Sequence, residues 1–216
     1  MLERSLAMDQ TTFALCALAA LVLGMVGCSQ DGGGSGGAKQ PTNNSLENRR
    51  AVFIIAPRDF RDEELREPTA LLKARGCAVT LACSSLDEAT GMLGAKVKPE
   101  VLLKDVQVSD YDAIVFVGGV GASDYFNDPT AHAVARRAAS SGKVLGALCI
   151  APSILARAGL LQGKRATAWS SQKDDLTANG AKWSDEAVVR DGKLITGNGP
   201  QAAQQFGERL AQALAE

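Results

Sequence analysis

Apolar and polar positions fall in blocks along this chain, and the blocks predict its elements. Ala51 to Ala56 (AVFIIA) is a continuous apolar run, the pattern of a strand buried on both faces. A polar loop follows, with Asp62 as a candidate N-cap, then a helix from Glu63 to Arg75 that stops at Gly76. Pro68 lies inside that helix and lacks the N–H that would bond the Glu64 carbonyl, so a bend and irregular backbone near Glu64 are expected. Cys77 to Cys83 is the second strand. Val97, Val101 to Leu103 and Val106 suggest one or two short edge strands interrupted by Pro99. Ala113 to Val117 is a third buried strand, ending at Gly118-Gly119. Asp128 and Pro129 open a helix to Ser141, closed by Gly142. Val144 to Leu148 is a fourth strand, followed at once by an amphipathic helix, Ile150 to Arg157. A short strand, Arg165 to Trp169, precedes a helix from Ser170 to Asn179. Asp191-Gly192 then marks a hairpin between Glu186 to Arg190 and Lys193 to Thr196. Pro200 opens the last helix, in which Phe206, Leu210 and Leu214 recur every four residues.

Strands alternating with helices predict an α/β fold, a three-layer α/β/α sandwich around a mostly parallel sheet. Such sheets bind ligands outside the carboxyl ends of their strands. Three candidate groups fall there: Glu64 after the first strand, Gly118-Gly119 after the third, and Cys149 after the fourth. Cys149 stands where strand meets helix, with Ala147 and Ala151 two positions to either side. That pattern suits a sharp turn that larger side chains would obstruct. A thiol over a helix N-terminus is expected to ionise more readily. The alternative is a buried structural cysteine in an ordinary strand–helix unit.

The first 49 residues differ in kind. Phe13 to Gly27 is apolar, short for a membrane span and suited to the core of a signal peptide. It ends in Met25-Val26-Gly27-Cys28, which resembles a bacterial lipobox. On that reading residues 1–27 are removed and Cys28 carries a lipid that anchors the protein to the membrane. Ser29 after it points to the outer membrane. Residues 28–49 are rich in Gly, Ser, Asn and Gln and are expected to form a flexible tether. The folded domain is then 50–216, held on the periplasmic side of the cell envelope.

Charge narrows the functions further. With 23 basic and 24 acidic residues the net charge is −1, and no dense cationic run is present, so nothing favours nucleic acid as a partner. No metal-ligand cluster, P-loop or complete dinucleotide fingerprint is visible, and no cofactor is expected. Of five cysteines, Cys16 and Cys28 lie in the leader. Cys77 and Cys83 lie roughly 20 Å apart along one strand, too far to pair there, and read as buried apolar residues. Cys149 is left as an unpaired thiol.

These motifs resemble the ThiJ/PfpI superfamily, also called the DJ-one family, with its flavodoxin-like, glutamine amidotransferase-like fold. RDEELREP with LLKARG resembles the family's first helix, VFVGGVGASDY its glycine turn, ALCIAPSILARAGLLQGKRAT its cysteine elbow, and KWSDEAVVRDGKLITGNGP its hairpin and closing loop. The resemblance implies that Cys149 is a reactive nucleophile and that Glu64 is a protonated partner hydrogen-bonded to it. It also implies oxyanion amides at Gly119 and Ile150, and a homodimer. Gly118, Trp169 and Ser170 are candidate pocket residues. Two positions depart from the pattern. PfpI-type peptidases carry a histidine directly after the cysteine, where this chain has Ile150; other members carry one about twenty residues later, where it has Trp169. The one histidine, His132, shares a helix face with Arg136 and reads as a solvated surface residue.

Three functions remain open. The first is a cysteine-dependent enzyme, glyoxalase- or deglycase-like on small reactive carbonyls, or a cysteine hydrolase. The second is a non-catalytic redox sensor or holdase chaperone of the stress response, its thiol meeting oxidants. The third is a membrane-held binding module.

Overall fold

The computed structural model describes residues 45–216. The expected signal peptide, the lipobox-like segment with Cys28 and most of the expected tether lie outside the described residues. Twelve strands and five helices follow in order. The strands are β1 (Arg50–Ile54), β2 (Arg58–Phe60), β3 (Ala78–Cys83), β4 (Ala89–Gly91), β5 (Lys96–Val97), β6 (Val101–Leu102), β7 (Ala113–Phe116), β8 (Val144–Leu148), β9 (Arg165–Ala166), β10 (Lys182–Trp183), β11 (Val188–Asp191) and β12 (Leu194–Gly197). The helices are α1 (Asp62–Ala74), α2 (Pro129–Ser140), α3 (Pro152–Arg157), α4 (Lys173–Ala178) and α5 (Ala203–Ala215).

Seven strands form the central sheet in the order β11-β12-β8-β7-β1-β3-β6. All its pairings are parallel except β11 with β12, the hairpin turned by Gly192 at φ +64°. β1, β7 and β8 are adjacent and buried on both faces, as their unbroken apolar runs require. One face packs against α1 and α5 through Leu65, Leu72, Phe206 and Leu210. The other packs against α2, α3 and α4 through Val134, Ile154, Leu155 and Leu176. The mixed α/β fold with a mostly parallel sheet is thus the observed architecture. No helix of the described residues is long and apolar enough to cross a membrane.

Several expectations need correction. The folded domain includes residues before 50: Leu46 is fully buried and its N–H donates to the Arg75 carbonyl at 2.7 Å, so this residue does not belong to the expected tether. Asp62 caps nothing; it is the first residue of α1. Its buried carboxylate accepts from the backbone N–H groups of Leu93 and Ala95, both at 2.8 Å. α1 runs unbroken through Glu64 and Pro68. Pro68 is instead where α5 crosses: a Cβ on Gly207 would meet the Pro68 Cα at 3.0 Å. The strand expected over Arg165 to Trp169 shrinks to two residues, because the Thr167 N–H donates to the Thr196 hydroxyl and the Trp169 N–H to the Cys149 carbonyl.

Candidate active site

Adjacency of β8, β7 and β1 brings the three predicted groups together, since the chain leaves each strand at the same edge. Cys149 follows β8 with φ +58°, one of three non-glycine residues in that region of backbone space among the described residues. The turn is held from both sides. The Cys149 N–H donates to Gly197 at 2.9 Å, and its carbonyl accepts from the Trp169 N–H at 2.8 Å. Such strain persists only where the surroundings over-determine it.

Glu64 comes from the first turn of α1 and is fully buried. Its Oε2 accepts the Gly118 N–H at 3.0 Å, while Oε1 is buried with no partner among the described residues. A Cβ on Gly118 would lie 2.5 Å from both the Cys149 Cβ and Glu64 Oε2. The acid and the thiol therefore converge over a residue that has to be glycine. Gly119, at φ +95°, has its own close neighbour: a Cβ there would lie 2.3 Å from the Asp59 carbonyl oxygen. The Arg61 N–H closes this loop on the Gly118 carbonyl at 2.9 Å.

The electrostatics agree with the expected raised acid and depart from the expected thiolate. Burial pushes the Glu64 carboxyl up to about 7, against the pull of its bonds to Cys149 and Gly118. Burial, and next the charge of Glu64, push the Cys149 thiol up to about 12; the amides of Gly119 and Ile150 pull it down but do not prevail. The expected helix dipole is weak here because α3 has six residues and starts only at Pro152. The resting thiol keeps its proton, and near neutrality it is Glu64 that titrates.

Cys149 lies at the floor of a cleft of about 440 Å³. Its walls include Arg61, Met92, Val120, Phe126, Trp169 and Gln172, with Gly119 and Ile150 beside the thiol. Of the expected pocket residues, Trp169 is a wall. Gly118 lies beneath the thiol, and Ser170 faces a neighbouring cavity. Arg61, Met92 and Gln172 were not singled out in the sequence; Arg61, one helical turn before Glu64, is the one its spacing could have suggested. No histidine lines the cleft. His132 is half-buried and its Nε2 bonds the Phe126 carbonyl at 2.9 Å, which corrects the reading of it as a freely solvated residue. No group of three or more His, Cys, Asp or Glu side chains among the described residues could hold a metal.

Residues 49–213 match the model of the DJ-1/PfpI family. The chain belongs to that family. Within the DJ-1/PfpI family, an uncharacterized protein of Methanocaldococcus jannaschii is 38% identical over 79% of this chain and 84% of its own. A glutathione-independent glyoxalase of Caenorhabditis elegans is 30% identical, over 77% of this chain and 89% of its own. A deglycase of Pyrococcus horikoshii is 32% identical, over 69% and 90%. In fold, a ThiJ/PfpI domain protein of Brachyspira murdochii superposes with a TM-score of 0.76 at 23% identity, covering 79% of this chain and 97% of that one.

Proposed function

We propose that this DJ-1/PfpI protein is a glyoxalase- or deglycase-like enzyme in which Cys149 attacks a small 2-oxoaldehyde and Glu64 moves the protons. The observation that carries the reading is the Glu64–Cys149 pair, a carboxyl titrating at about 7 set against a thiol that keeps its proton. A base poised near the working pH is the most effective one. The names of the worm and archaeal relatives support the substrate class.

The steps balance without an oxidant or cofactor. The Glu64 carboxylate takes the thiol proton as Sγ bonds to the aldehyde carbon, and the C=O pair moves onto oxygen. The amides of Gly119 and Ile150 face that oxyanion, which then takes the proton back from Glu64. Glu64 next carries the C1 proton to C2 while the C1 hydroxyl proton passes to the C2 oxygen, leaving the thioester of a 2-hydroxy acid. Water cleaves the thioester, releasing the acid and restoring the thiol. A single carboxyl with room for a proton on its unpartnered Oε1 performs both transfers, so the absent histidine is not required.

The test is kcat/KM for methylglyoxal against pH. It should rise through an apparent pKa of about 7 as Glu64 ionises. The Glu64→Gln variant should lose this limb and fall by on the order of a hundredfold or more. Cys149→Ala should fall to background. Undiminished turnover in Cys149→Ala would refute the reading. From the lipobox-like Met25-Val26-Gly27-Cys28 we further propose that the enzyme sits in the cell envelope, anchored through lipid on Cys28.

A further inference from the structure

A second cavity, of about 390 Å³, adjoins the Cys149 cleft. The two share Trp169 and Gln201 as walls. Trp169 therefore stands as a partition, held by its N–H on the Cys149 carbonyl and by its ring lying on Gly199, where a Cβ would come within 2.8 Å. The far wall carries a second indole, Trp183, whose Nε1–H donates to Asp185 Oδ1 at 2.7 Å. Ser170 and Asn198 complete the lining that matters here.

The chemistry of this lining is specific. The hydroxyl of Ser170, the carboxamides of Asn198 and Gln201 and the second oxygen of Asp185 make no hydrogen bond among the described residues, so each is free for a ligand. Thr167, also in the wall, has a buried hydroxyl with no partner among the described residues. The lining thus offers many donors and acceptors between two indoles, with one charge, Asp185. A cation would want more charge than this, and Lys173 already places its ammonium 5.7 Å from the Trp183 ring centroid. An apolar tail would leave the amides unsatisfied. A chain of hydroxyls satisfies donors and acceptors alike while its C–H edges pack on indole.

The Cys149 cleft is also larger than a three-carbon oxoaldehyde needs. At about 30 Å³ per water it has room for on the order of 15 waters. Resting on the reading of Cys149 given above, we infer that the preferred substrate is a polyhydroxylated 2-oxoaldehyde. Its dicarbonyl end meets Cys149, and its hydroxylated tail passes Trp169 into the cavity of Trp183, Asp185 and Asn198.

The experiment pairs turnover with binding in the full chain. The substrates are methylglyoxal and 3-deoxyglucosone, a six-carbon 2-oxoaldehyde with a hydroxylated tail. Wild type should favour 3-deoxyglucosone in kcat/KM by about tenfold or more, the worth of one or two good hydrogen bonds. The double variant Asp185→Asn, Asn198→Ala should lose that preference through KM and leave methylglyoxal turnover unchanged. Equal use of both substrates by wild type, or equal loss on both in the variant, would overturn the inference. Binding is read by tryptophan fluorescence in Cys149→Ala, with sorbitol, which has no carbonyl to react, against Nα-acetyl-lysine. Sorbitol should bind, and bind more weakly in the added double variant. Binding of the amine alone, or of neither, would overturn the site. If neither oxoaldehyde turns over yet sorbitol binds, the catalytic reading fails and the polyol site stands.

Discussion

At the residue scale, Glu64 carries the largest consequence. Its folded pKa of about 7 lies above the ordinary 4.5, so the folded state holds the proton more tightly than the unfolded chain. Below pH 4.5 both states are protonated and the burial is tolerated. Between 4.5 and about 7 the unfolded chain ionises first and stability falls; above 7 the full deficit, on the order of 3 kcal/mol, is present. Glu64→Gln should therefore match wild type in urea unfolding below pH 4.5 and exceed it by roughly that amount above pH 7. An equal effect at both extremes would refute the assignment. The positions of Gly118 and Cys149 were readable in the sequence because backbone demands leave marks, small residues around a tight turn and paired glycines; Glu64 was readable through the resemblance of its helix to the family's. The state of the thiol was not. It depends on how deeply the pair is buried and on how short α3 is, and tertiary packing sets both.

At the element scale, the β4–β5 hairpin is hydrogen-bonded to α1, among the described residues, through one side chain. Asp62 holds the amides of Leu93 and Ala95, and a Cβ on Gly91 would come within 2.6 Å of its carboxylate. The hairpin in turn presents Met92 to the cleft. Asp62→Ala strands two amides, so it should destabilise the protein by roughly 1–3 kcal/mol. Amide exchange should quicken at Leu93 and Ala95 first, and KM should rise more than kcat falls. Uniform exchange changes across the sheet would show that Asp62 serves stability alone. Periodicity revealed the buried strands and the amphipathic α5 well, since each reports its own burial. It overextended β9, where Thr167 finds a side-chain partner across the fold, and it misread Asp62, whose partners lie some thirty residues away. Long-range partners of this kind write no local pattern.

At the scale of the whole molecule, α1 and α5 cross where Pro68 meets Gly207, on the helix that also carries Glu64. Gly207→Val would force the crossing apart. It should lower stability by roughly 1–3 kcal/mol, as overpacking does, and shift the Glu64 limb of the pH–rate profile. A stability loss with an unmoved limb would show that the crossing does not position the acid. The proposed envelope anchor is tested separately: Cys28→Ala should release the protein from the membrane fraction without changing methylglyoxal turnover. The layer architecture was readable in the order of the blocks. The place where the domain begins was not, because Leu46 is a single apolar residue in a polar stretch and only its contact with the end of α1 shows it to be core.

The clasp on Cys149 also fixes an order of events in time. Its two backbone partners, Trp169 and Gly197, are both made after it. A growing chain that has emerged only as far as β8 has its strand, its acid and its glycine turn, but nothing to hold the cysteine at φ +58°. The nucleophile's clasp is thus made after the nucleophile, and a protein cut short before β9 would carry the acid, the glycine turn and the thiol with neither bond that aims it.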